Sequence, residues 1–230
     1  LGILSSHTFP TVEELRQEIR KTKSMTDKPF AINISILPAI QALNYEEYMN
    51  AAIEEGVNIV ETSGRSPEPY MELLKKAKVR VLHKATRIRD IKTAERIGVD
   101  IVTIDGFSAA GHPGMEDVAT IVLVPIAADT VKIPVIAGGG IADARGFVAA
   151  LALGAEGVLM GTRFMASKEC PAHPKIKEWL LQLKETDTMM IQRSIQNACR
   201  VVRTDYTHMI LGMEARGAPL KDILPLISGS

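Results

Sequence analysis

Five positions or turns bring together residue types that do chemistry. In "IDGFSAAGHPGMEDV" (104–118), His112 lies between Gly111 and Pro113 in a run of small residues. A neutral imidazole titrates near ~6.5 and accepts a proton at neutral pH, which suits a general base; a solvated loop histidine has the same local sequence. "PVIAGGGIADARG" (134–146) sets Gly138, Gly139 and Gly140 between an apolar run and a helix opening near Asp143. Bare amides there bind phosphate, and a plain tight turn uses the same residues. "GVLMGTRFMAS" (157–167) adds the Gly161 amide, the Thr162 hydroxyl and the Arg163 charge. Lys84, ending "VRVLHK", offers a cation to a ligand, or to Glu61 or Asp105 in an ion pair. Asn33, in "FAINIS", offers an amide to a ligand or to a local turn.

The elements that must hold these residues alternate regularly. Seven short apolar runs read as strands: 1–6, 30–35, 58–63, 79–84, 100–105, 134–139 and 157–162. Most are apolar on both faces, the pattern of parallel strands covered on both sides. Between them lie helix signals: capping-box spacings at Thr11/Glu14 and Asn44/Glu47, and helix stops at Gly56, Gly98 and Gly154. The alternation allows a doubly wound sheet or a TIM (β/α)8-type barrel. A dinucleotide fold needs GxGxxG after an early strand, and "GILSSH" does not supply it. The barrel is therefore preferred, with seven strands visible and its first β-α unit absent from the sequence. In barrels of this kind the site lies at the C-terminal strand ends, where every residue named above falls, and the last two turns form a phosphate site. We expect residues 1–165 to be the barrel core, and 166–230 to be a helical segment packed on it. Within that segment "KIKEWLLQLKE", "TMMIQRSIQNACRVVR" and "YTHMILGMEARG" are read as helices.

Composition narrows the class. Lys+Arg and Asp+Glu are both 27, which leaves no electrostatic footprint for nucleic acid. No apolar run approaches the ~18 residues of a membrane span. Cys170 and Cys199 stand alone, as in a reducing cytoplasm, and no His/carboxylate spacing suggests a metal. His83 should face away from Lys84 and pack under a helix, and His7 lies at a strand end with a supporting place at the site mouth. The methionines at 160, 165, 189, 190, 209 and 213 are read as core filler.

"VRVLHKATRIRDIKTAERIGVDIVTIDGFSAAGHPG", followed by "PVIAGGGIADARGFVAALALGAEGVLMGTRFMASKECPAHP", resembles the nitronate monooxygenase family, formerly 2-nitropropane dioxygenases; "KPFAINI" and "RSIQNACRVVR" extend the likeness over nearly the whole chain. The resemblance implies an FMN barrel. It makes Gly138, Gly139, Gly140, Gly161 and Thr162 phosphate ligands, puts Asn33, Lys84 and Gly111 in the flavin site, and makes His112 the catalytic base. That base would take the α-proton of a nitroalkane or orient a nitronate, with O2 regenerating the cofactor. The family also holds NAD(P)H:quinone reductases, which "GFSAAGHPGMEDV" resembles equally, and an enoyl-acyl-carrier-protein reductase. Small-molecule substrates (nitronate or quinone), O2 and NAD(P)H are the implied partners, and a homodimer is compatible with them.

The sequence departs from the family in two places. Members begin with a strand and turn similar to "PIIQGGM", which has no counterpart here, and they continue beyond "LISG" (226–229). A barrel open between its first and last strands is prone to aggregate or swap, which makes a truncated, non-catalytic flavin-binding protein the competing class. A non-redox phosphate-binding barrel is another, and it would be colourless.

Overall fold

The computed structural model describes residues 1–36 and 44–227. Residues 228 and 229, which end "LISG", lie outside them. Seven parallel strands follow one another in chain order: β1 (Gly2–Ser5), β2 (Phe30–Ile36), β3 (Ile59–Gly64), β4 (Arg80–Ala85), β5 (Ile101–Asp105), β6 (Val135–Gly138) and β7 (Gly157–Leu159). Each pairs with its sequence neighbours, giving a curled half-barrel with β1 and β7 at its edges. Helices make the crossovers: α1 (Val12–Met25), α2 (Tyr45–Glu54), α3 (Met71–Lys76), α4 (Ile88–Ile97), α5 (Thr120–Thr130) and α6 (Ala144–Ala152).

Local signals place the helix ends. Thr11 and Glu14 form both arms of a capping box, while Asn44 accepts from the Glu47 amide in one arm only. Gly98 ends α4 at φ +86, a left-handed conformation without cost to glycine, and Gly56 and Gly154 also have positive φ.

Period-2 alternation gives each strand one face for the helices and one for the barrel interior. Ile32, Ile34, Val60, Val81, Val102 and Ile104 pack with Leu15, Ile19, Met49, Leu74 and Ile91 in the main apolar core. The opposite face carries Asn33, Glu61, Lys84 and Asp105. His83 lies on the helix side and is buried, with Nδ1 2.9 Å from the Thr62 hydroxyl. Burial pushes its pKa down to about 4.

An unfolded chain protonates this histidine near pH ~6.5, whereas the folded protein resists until about 4. The neutral imidazole's contribution is thus complete above ~6.5 and is lost as pH falls toward 4, by up to about 3 kcal/mol. Urea unfolding of wild type and His83→Gln between pH 7 and 4.5 checks this. The difference between them should shrink with acid, and a pH-independent difference would refute it.

Beyond β7 come α7 (Thr162–Met165) and α8 (Pro174–Gln182), then β8 (Thr188–Ile191), β9 (Cys199–Val202), α9 (Asp205–Ala215) and α10 (Leu220–Ile227). The helix expected over "TMMIQRSIQNACRVVR" is instead an antiparallel pair, Thr188 opposite Val202 and Ile191 opposite Cys199. Alternation decides it: Met189 and Ile191 are buried while Thr188 and Met190 are half-buried, a period of two. The inner side joins Ile210 of α9 and Ile223 of α10 in a second apolar cluster. Met189 and Met213 belong to that cluster, but Met165 and Met209 are exposed rather than core-filling.

Candidate active site at the C-terminal strand ends

The inward side chains of β2 to β5 form a polar arc. Asn33 donates Nδ2 to Glu61 Oε2 at 2.7 Å, and its Oδ1 accepts from the Ser35 hydroxyl at 2.9 Å. Asn33 is therefore on a strand within a network, not capping a turn. Glu61 is 3% exposed, and its Oε1 is without a hydrogen-bond partner among the described residues. Burial raises the Glu61 pKa, opposed by the Lys84 cation and the Asn33 bond. Lys84 Nζ lies 3.7 Å from Asp105 Oδ2; burial raises the Asp105 pKa and Lys84 opposes the shift. The ion-pair alternative for Lys84 is thus present, yet 31% of its side chain stays exposed at the strand end. Gly138 pairs with Asp105 in the sheet, and a Cβ there would lie 1.8 Å from Asp105 Oδ1. The carboxylate by itself demands a glycine at 138.

Past β5 the chain turns back on the next strand. The Gly106 amide donates to the Gly138 carbonyl at 3.1 Å, and the Thr120 hydroxyl is shared between the carbonyls of Gly138 and Gly139, at 3.1 and 2.8 Å. Gly139 and Gly140 take positive φ, 95° and 75°. Asp143 then caps α6, accepting from the amides of Arg145 and Gly146 at 2.9 and 3.4 Å. The first α6 amides are therefore satisfied internally. Those of Gly139, Gly140 and Gly161 have no acceptor among the described residues. Arg163 Nε donates to the Ala142 carbonyl at 2.7 Å, joining the two glycine turns. Its expected charge is thus directed at the backbone. Thr162 opens α7 and is exposed.

His112 is exposed on the β5 loop, after Gly111 at φ +75. Protein packed behind the ring lowers its pKa, and the Lys84 ammonium lowers it further. Replacing Lys84 by Met should therefore move the His112 titration upward, toward the ordinary histidine range. Proton NMR of the imidazole resonances, assigned with His112→Ala, measures it. An unmoved titration would remove the coupling.

Asn33, Lys84, Gly138, Gly139, Gly140 and the His112 loop thus meet along adjacent strand ends, with Gly161 and Thr162 attached through Arg163. Glu61 and Asp105, legible in the sequence as ion-pair partners for Lys84, join the arc as members in their own right, and Thr120 is a member that nothing in the sequence singles out. An acid on the inward face of an apolar run, as in "NIVETS", was the available signal for the two carboxylates. His7 Nε2 lies 2.8 Å from the Ser35 carbonyl and lines a cleft with Tyr45 and Tyr48.

A family model described as "Nitronate monooxygenase" matches residues 1–222. The chain is 36% identical to a (3aS,4S,5R,7aS)-5-hydroxy-7a-methyl-1-oxo-octahydro-1H-indene-4-carboxyl-CoA dehydrogenase of Rhodococcus jostii, over 91% of the chain but only 58% of that protein. It is 31% identical to a probable nitronate monooxygenase of Staphylococcus haemolyticus, over 95% of the chain and 72% of that protein. Among solved structures, FabK from Thermotoga maritima superimposes with a TM-score of 0.89 at 35% identity, covering 98% of this chain and 69% of FabK.

Proposed function

The chain belongs to the nitronate monooxygenase family, and we propose from that premise that it is the barrel of an FMN-dependent oxidoreductase acting on alkyl nitronates with O2. The observation that carries the reading is His112, an accessible imidazole of lowered pKa, on the same strand-end arc as a cation and two glycine turns.

The residues present fit the flavin. Among the described residues the amides of Gly139, Gly140 and Gly161 have no acceptor, and a Cβ at Gly161 would meet no atom within 4 Å, so space for an anion exists beside it. These amides and the Thr162 hydroxyl would hold the phosphate. Asn33, Lys84 and Gly111 would border the ring. FMN supplies the electron-pair acceptor when bound. The chain's own part is protonic and electrostatic. His112 Nε2 or Nδ1 takes the substrate α-proton or orients the nitronate, and Lys84 favours negative charge developing nearby. Small neighbours, Ala109, Ala110 and Gly111, leave room above the loop.

An acyl-CoA dehydrogenase is the second reading, favoured by the 36% identity to the Rhodococcus protein. The same base would then remove a proton α to a thioester carbonyl. Quinone reduction with NAD(P)H is a third use of the same site. Assignment of residues 1–165 as flavin-binding barrel and 166–230 as a segment packed on it belongs to the proposal; the two separate apolar clusters support that division. So does a cytoplasmic location, supported by two free cysteines.

The test is the visible spectrum of the purified protein with released cofactor identified, followed by turnover with nitronate plus O2, acyl-CoA plus an electron acceptor, and NADH plus quinone. A colourless protein that takes up no FMN would refute the flavin reading. Turnover with one of the other pairs alone would replace nitronate as substrate.

A further inference from the structure

The hairpin of β8 and β9 touches the barrel at the His112 loop. Gly111 and Arg200 form an antiparallel bridge, with the Arg200 amide donating to Gly111 O at 2.6 Å and the Gly111 amide to Arg200 O at 3.1 Å. The Arg200 side chain continues the contact. Its Nε donates to the Phe107 carbonyl at 3.0 Å, its Nη1 to the Thr188 hydroxyl at 3.0 Å, and its guanidinium stacks 4.3 Å from the Phe107 ring centroid. Arg193 approaches the same ring at 5.9 Å, donates to the Met115 carbonyl at 3.3 Å and pairs with Asp117. The loop is therefore held before His112 at Phe107, at its preceding residue, and after it at 115 and 117. Within the small-residue run the Ala109 amide donates to the Gly106 carbonyl at 2.9 Å, and no side chain among the described residues hydrogen-bonds the His112 ring.

We propose that Arg200 is a positioning residue for His112, holding the β5 loop so that the imidazole keeps one place at the mouth. This rests on the reading of His112 as the proton acceptor. The planar guanidinium suits the task, since one rigid group serves a carbonyl, a hydroxyl and an aromatic face together; lysine cannot reproduce that set. The charged groups on the surrounding elements are Lys84 on β4, Asp105 on β5, Glu116 and Asp117 in the loop, and Arg193 and Arg200 on the hairpin. Lys84 is the charge that lowers the His112 pKa, and Arg200 reaches the loop through its backbone bridge, two side-chain hydrogen bonds and the Phe107 stack.

Arg200→Ala and Arg200→Lys, each in the full chain, test it. Both should lower kcat by on the order of 10–100-fold, the scale of a misplaced catalytic group, with flavin content unchanged. In both, the His112 imidazole titration, followed by NMR in flavin-free protein, should rise toward the ordinary range as the loop loosens into solvent. Phe107→Leu, which removes the stack and leaves the backbone bridge, should move both readouts the same way by less. Full rescue by lysine would make the role one of charge and overturn the proposal. An unmoved titration with wild-type kcat in Arg200→Ala would also overturn it. His112→Ala run alongside separates the two readings: if it turns over normally the base assignment fails, while the titration still decides whether Arg200 positions the ring.

Discussion

Substituting His112 by alanine should lower nitronate turnover by about 10²–10⁴-fold, the usual contribution of a positioned acid–base group, and leave flavin bound. The expectation combines three facts about one side chain. It is exposed, so substrate can reach it. It lies on the strand-end loop directly after Asp105, beside the glycine turn to which Gly106 is bonded. Its pKa is lowered, first by surrounding protein and then by Lys84, so the neutral form that accepts a proton persists below the pH at which a free histidine would charge. Because catalysis needs the unprotonated ring, kcat/KM should be level at neutral pH and fall only below the ordinary histidine range of ~6.5. Lys84→Met should move that fall to higher pH. Steady-state rates over pH 5–8 for wild type, Lys84→Met and His112→Ala provide the measurement. An alanine variant with wild-type kcat/KM, or a profile whose acid limb ignores Lys84, would remove His112 from the chemistry. A histidine serving only as a loop surface would show both.

The strand order was legible in the chain because parallel strands covered on both faces are largely apolar, and all seven runs end on polar residues or glycines that belong at a barrel mouth. Turn chemistry made the helix ends legible too, as at Thr11 and Gly98. The β8–β9 hairpin was not legible, for a specific reason. Its connection uses no glycine: Gln192 and Gln196 take the positive φ, 65° and 58°. Glu214, from α9, accepts from the amides of Gln192 and Ser194 and from the Ser194 hydroxyl, at 2.7, 3.1 and 2.7 Å. A turn held by a residue some twenty positions away leaves no local signal, and an amphipathic helix fits the same letters. The site divides along the same line. His112, Lys84 with Asp105 as one of its two candidate partners, and the glycines stand out by type and place, whereas the Asn33–Glu61 pairing and the reach of Arg200 to Phe107 are long-range facts that spacing does not encode.

Replacing Gly139 by alanine should damage the protein through the fold as well as the ligand. A Cβ at 139 would meet the Gly106 carbonyl oxygen at 2.9 Å and the Ala109 amide and Thr120 Oγ1 at 3.0 Å. Two of these neighbours are backbone of the loop that leads to His112, and the third is the hydroxyl that ties the turn to α5. None is the flexible end of a long side chain. Overpacking of this kind costs about 1–3 kcal/mol. Holding alanine at φ +95 adds strain of about 1–3 kcal/mol more. The measured result should be a lower urea midpoint together with loss of flavin. Gly161→Ala is the comparison that separates these effects. Its φ is −112, ordinary for any residue, and the new methyl meets no atom within 4 Å, so stability should change by no more than about 0.5 kcal/mol. The methyl would nevertheless stand in the space beside the unengaged amide. Flavin released by Gly161→Ala at unchanged stability would therefore report on the phosphate site alone. Retention of flavin there, with loss in Gly139→Ala in proportion to unfolding, would mean that the turns shape the barrel mouth without holding the cofactor.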